Sequence, residues 1–142
     1  ASLRKEFQHQ VTAAGYSQVG APGIFALIAA YTQGEEWYQA MKQYVKSNID
    51  FLHTWMAEHL PQIKVTKTEG TYLVWMDFRA LGLSDKELKE LIEDKAEVWL
   101  DGGAIFGESG SGFERINVAC QRATLVEALD RIEKAVKEKV HG

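Results

Sequence analysis

Apolar residues recur every three to four positions over the first sixty residues and near the C-terminus, and every two positions in short stretches between. In residues 2–13, Leu3, Phe7 and Val11 lie four apart, which predicts a short amphipathic helix stopped at Gly15. Ser17–Gly23 (Ser-Gln-Val-Gly-Ala-Pro-Gly) reads as a loop. From Ile24 to Tyr31 nearly every residue is apolar or alanine. A helix apolar on all sides must be buried on all sides, so this segment is expected to pack against protein that lies outside the sequence. A long helix is predicted from Glu35 to Leu60, with Trp37, Met41, Tyr44, Val45, Ile49, Leu52, Trp55, Met56 and Leu60 forming one stripe, and Pro61 ends it.

The period then shortens to two. Ile63–Lys67 alternates apolar with polar and reads as an edge strand, its lysines guarding the open side. Glu69-Gly70 is a turn, and Thr71–Phe78, apolar on both faces, is a central strand. Ser84-Asp85-Lys86-Glu87 is a capping box opening a helix that buries Leu88, Leu91 and Ile92. Glu97–Leu100 reads as a short strand running into the glycine-rich stretch 101–112. Arg115, Asn117 and Ala119 then alternate with Ile116, Val118 and Cys120, as in a half-buried strand. Thr124–Glu127 repeats the capping pattern, and the last helix runs to about Val140 with Leu125, Leu129, Ile132 and Val136 facing in. From Glu35 the order helix, strand, strand, helix, strand, strand, helix predicts an α+β domain. It has two layers, a mostly antiparallel sheet covered by helices. Residues 1–34 stand outside that pattern.

Composition narrows the function more than the fold. The 142 residues are 46% hydrophobic and 25% charged, ordinary for one globular domain. A net charge of −4 and the lack of a basic stripe with interleaved aromatics argue against nucleic acid as a partner. No apolar run is long enough to span a bilayer, so no membrane partner is expected. Cys120, the single cysteine, excludes an internal disulfide framework, and a cytoplasmic location is expected.

Few residues have the pattern of chemistry. His9, His53, His59 and His141 lack metal-ligand spacing, and Cys120 lies on the apolar face of its strand as a small core residue. Gly107, Gly110 and Gly112 run from strand to strand, not into a helix N-terminus, so they do not form a phosphate cradle. Their expected use is in sharp turns and close backbone approach. Arg115 remains. A guanidinium on a rigid strand beside small neighbours suits bidentate capture of a carboxylate or phosphate, although the same pattern also describes a surface arginine.

Three stretches give the chain a resemblance. Phe106-Gly107 followed by Gly112-Phe113-Glu114-Arg115-Ile116-Asn117-Val118-Ala119-Cys120 and Arg122 is one, and Glu69-Gly-Thr-Tyr-Leu-Val-Trp-Met-Asp77 is the second. Ala29-Ala30-Tyr31 with Gly34 and Trp37 is the third. Together they resemble the C-terminal part of the fold-type-I pyridoxal-phosphate enzymes. Within the class I/II aminotransferase superfamily they are most similar to the cystathionine β-lyase-like C–S lyases. Gln121 departs from the proline usual in that branch.

The resemblance implies that residues 1–34 are the end of the large cofactor-binding domain and that 35–142 are the small C-terminal domain. It implies that Arg115 binds the α-carboxylate of an amino-acid substrate. It places the lysine that anchors pyridoxal phosphate upstream, so this chain would hold no catalytic and no cofactor-binding residue and would be inert alone. The whole protein would be a homodimer cleaving a sulfur amino acid to thiol, pyruvate and ammonia. An aminotransferase, a free-standing carboxylate-binding module and a dimerisation module are the alternatives.

Overall fold

A computed structural model describes residues 2–16 and 20–141. The expected loop at Ser17–Gly23 lies partly outside the described residues. The chain divides into two compact units, residues 1–41 and 42–142.

The first unit is helical. α1 (Ser2–Ala13) forms as the pattern predicts, whereas α2 (Ala21–Gln33) begins inside the predicted loop: Ala21–Gly23 are its first turn, with Pro22 at a position where a missing N–H costs nothing. The apolar surface of α2 is open: Phe25, Leu27, Ile28 and Tyr31 are all more than half exposed. α3 (Glu35–His59) begins in this unit, with Glu35 and Glu36 in its first turn, where carboxylates suit the helix dipole. Trp37 and Tyr44 belong to the predicted stripe yet stay exposed. Only the later turns of α3 bury theirs, at Leu52, Trp55, Met56 and, just past the helix end, Leu60.

The second unit is the α+β domain. Four antiparallel strands lie in the order β1-β2-β4-β3: β1 (Lys64–Val65), β2 (Leu73–Asp77), β3 (Asp101–Gly102) and β4 (Phe113–Asn117). The inner face carries Val74, Met76, Ile116 and Val118, all buried, packing in one core with Leu52, Met56 and with Leu125, Leu129, Ile132 and Val136 of α5 (Arg122–His141). Ser84 caps α4 (Asp85–Lys89) through the reciprocal bonds of the expected capping box. A π-helical turn at Glu90–Lys95 continues it and buries Leu91 and Ile92.

Two further expectations are not met. No strand forms at Glu97–Leu100. Glu97 takes φ +53°, and Val98 N–H donates to Ile92 O to close the π turn, so pairing begins only at Asp101 opposite Arg115. The Thr124–Glu127 capping box is not used either, because α5 already starts at Arg122. The Arg122 backbone N–H donates to Tyr44 Oη (2.9 Å), which satisfies a first-turn donor from outside the helix.

α3 and α5 are tied at this point by buried Asn48. Its Nδ2 donates to Val118 O (2.8 Å) and Cys120 O (2.9 Å), and its Oδ1 accepts from Arg122 Nε (2.8 Å). Arg122 also donates to Ser47 O and stacks on Phe51. These bonds hold the segment that follows β4 and fix how that strand leaves the sheet.

Candidate functional site

Strand alternation divides β4 between two environments. Arg115 is on the outer face, and its sequence neighbours Glu114 and Ile116 are on the inner one. Directly across from Arg115 stand Trp75 on β2 and Asp101 on β3. Arg115 Nη2 donates to Asp101 Oδ2 at 2.7 Å and Nε to the same oxygen at 3.2 Å. One edge of the guanidinium is thereby held. Among the described residues no hydrogen bond reaches Nη1, so the outer edge, Nη1 with the second Nη2 hydrogen, keeps a two-pronged donor set. The side chain is about one-quarter exposed.

The glycine-rich stretch puts a ring over this fork. Gly103 and Gly110 pass so close that a Cβ on either would strike the other's backbone, and the loop folds on itself through two short 3₁₀ turns. It is moored at its far end. Gly112, at φ +76°, donates its N–H to Asp85 Oδ1 (2.9 Å), and its carbonyl accepts from Phe78 N–H (2.9 Å). Phe106 is thereby placed with its ring 4.4 Å from the Arg115 guanidinium and edge-on to Trp75 at 5.3 Å. A cavity of about 230 Å³ beside these rings is lined by Trp75, Phe106 and Phe113. The close approach expected of the glycines is thus of the loop to itself, and its effect is an aromatic lid on a cation.

This arrangement can hold and orient a carboxylate. Asp101 and the two rings fix the plane of the guanidinium, and a fixed fork loses little freedom when it forms two parallel bonds. It has no acid–base partner: no histidine or lysine joins the contacts of Arg115 among the described residues. The lysines in ion pairs at positions 46, 67, 86 and 89 have side chains more than two-thirds exposed, which does not suit an imine-forming cofactor anchor. The described residues include no cluster of three or more metal-ligating side chains, and no helix is long and apolar enough to cross a membrane. Cys120 is half-buried against the core, and burial pushes its thiol up, as suits a packing residue.

Several residues around Arg115 are not obvious in the sequence. Trp75 and Asp101 become its neighbours only through strand pairing. Glu114 was visible: extending the alternation one step back from Ile116 puts it on the buried face.

Residues 3–132 match the family described as aminotransferase class I and II. The cystathionine beta-lyase PatB of Bacillus subtilis is 35% identical over 133 residues, which is 94% of this chain and 34% of PatB. A pyridoxal-phosphate-bound protein of Clostridium difficile, whose name places it among the aminotransferases, superposes with a TM-score of 0.89 at 43% identity. That match covers 94% of this chain and 34% of the other. Cystalysin of Treponema denticola, which contains pyridoxal 5'-phosphate, superposes at 0.82 with 35% identity, over 85% of this chain and 31% of cystalysin. The chain spans about a third of the length of these relatives.

Proposed function

This chain belongs to the class I and II aminotransferase family, and from that premise we propose that it is the C-terminal part of a pyridoxal-phosphate-dependent C–S β-lyase. In this reading residues 1–34 finish the large domain and residues 35–142 make the small one. The whole protein is a cytoplasmic homodimer. The cofactor, anchored upstream, supplies the electron sink for removal of the substrate α-proton and loss of the β-thiolate. This chain supplies Arg115, whose open edge receives the α-carboxylate. Two parallel bonds there set the rotation of the substrate about its Cα, which decides which bond is broken. Asp101 and Phe106 hold the fork in place, and alone the chain is inert.

One observation carries the reading: Arg115 is held along one edge and unengaged along the other, under an aromatic lid. The choice of lyase rests on PatB, which aligns over nearly the whole chain. An aminotransferase is the second reading, favoured by the name of the Clostridium difficile relative.

Product analysis on the whole protein, loaded with pyridoxal phosphate and given cystathionine, separates the two. Equal amounts of thiol and pyruvate are expected. A keto acid retaining the sulfur, with the cofactor left as its amine, would give the aminotransferase instead, and no turnover of either kind would defeat both.

A further inference from the structure

At the β3 edge of the sheet lies a second cavity, of about 350 Å³, lined by α4, the π turn and β3. Four carboxylates line it: Asp85, Glu93, Asp101 and Glu114. Three are engaged. Asp85 accepts from Ser111 Oγ and Gly112 N–H, Asp101 is paired with Arg115, and Glu93 faces Lys89 Nζ at 3.8 Å. Glu114 is not. It is only 4% exposed, yet no hydrogen bond or ion pair reaches its carboxyl among the described residues. No fully enclosed side-chain oxygen among those residues lacks a partner, so the Glu114 oxygens retain access through the cavity, beside Gly102.

We propose that this cavity binds an alkylammonium ion, with Glu114 as its anionic partner. A buried carboxylate without hydrogen bonds or a counter-charge is costly, and a cation beside it removes both deficits. Charge restricts the ligand further. Four acids against Lys89 and the Arg115 that pairs with Asp101 still leave the walls negative, so a zwitterionic amino acid would bring its own carboxylate against them, whereas a simple amine would not. A dehydrated metal ion is not served, since no three ligating side chains converge here among the described residues. The remaining wall is apolar, from Leu88, Ile92 and Leu100, with the exposed indole of Trp99 at the rim, which accommodates a short alkyl chain and offers a π face to its head. Burial and the charges of Glu93, Asp101 and Asp85 push the Glu114 carboxyl up to about 7, so its readiness for a cation grows through neutral pH. Glu114 and Arg115 lie on opposite faces of one strand, so the ammonium site does not require the proposed lyase activity, although Asp101, paired with Arg115, borders both.

Calorimetric titration of the full chain with pentylammonium tests this, after circular dichroism has shown each variant folded. Saturable one-site binding is expected at about pH 8, weakening roughly tenfold towards pH 6 as Glu114 takes up a proton. Glu114→Gln should abolish it, and norleucine, the same chain with an α-carboxylate added, should not bind. The proposal is overturned if pentylammonium gives no saturable heat, if Glu114→Gln binds as well as the wild type, or if norleucine binds equally. Binding that emerges only in Lys89→Ala would also overturn it, by making that lysine the native partner of the carboxylate.

Discussion

Replacing Glu114 with glutamine should make the protein more stable above neutral pH and leave it nearly unchanged in mild acid. The carboxyl titrates at about 7 in the folded chain against 4.5 for an unperturbed glutamate, and burial is the largest cause. Between those values the folded state holds a proton that the unfolded state has lost. Stability therefore falls as pH rises through that window, by an amount that levels off above it at about 3 kcal/mol. Glutamine keeps the shape and one donor but never ionises. It recovers most of that loss, less about 1 kcal/mol for its own unpaired amide. Urea denaturation at about pH 5 and pH 8 measures the effect, provided the denaturant slope is the same for both proteins. The wild-type midpoint should drop between the two conditions and that of Glu114→Gln should hold. Parallel behaviour of the two proteins would show that Glu114 is ionised without penalty, and the reasoning about its burial would be wrong.

Other substitutions test the scaffold. Asn48→Ala removes three hydrogen bonds at a buried position and leaves the Val118 and Cys120 carbonyls without their donor. A loss of about 3 kcal/mol is expected by chemical denaturation, and a loss below about 1 would mean that water replaces the amide. Gly103→Ala drives a methyl into the Gly110 and Phe113 backbones, whereas Gly70→Ala meets nothing within 4 Å. The first should unfold or reshape the loop at a cost of about 2 kcal/mol or more, and the second should change stability by less than about 0.5. Leu129→Ala, at a fully buried core position, should cost about 2–5 kcal/mol by thermal or urea unfolding. In acid the order reverses for Asp77, which its hydrogen bonds from Arg79 hold below the usual carboxylate range. Its contribution is present above its unfolded pKa and is lost as pH falls, so Asp77→Asn should cost stability at neutral pH and little at about pH 2.

The elements were legible wherever one physical signal dominated. The capping box at Ser84, the proline after α3 and the alternation around Arg115 each appear in the structure where the sequence places them. The misses have different causes, one a long-range contact and another a local backbone turn. Arg122 opens α5 ahead of Thr124 because Tyr44 and Asn48, from a helix more than seventy residues earlier, satisfy its donors. β3 is delayed by a π turn and a left-handed Glu97 that no hydrophobic period encodes. The apolar stripe of α3 says which face is greasy but not how far along it a partner exists, and Trp37 shows that burial stops short of its start. The alternation around Arg115 predicted the face of the sheet on which it lies. Asp101 and Trp75, which fix its plane, required the register of the sheet.

The proposed role of Arg115 is to bind the carboxylate of an amino acid. The direct measurement uses the whole protein with and without Arg115→Ala, and compares kcat/KM for the amino-acid substrate with that for the same molecule lacking its α-carboxylate. The intact protein should prefer the acid by about 2–4 kcal/mol, and the variant should lose that preference by slowing on the acid alone. If Arg115→Ala still discriminates between the two as strongly as the wild type does, the fork is not where the carboxylate binds.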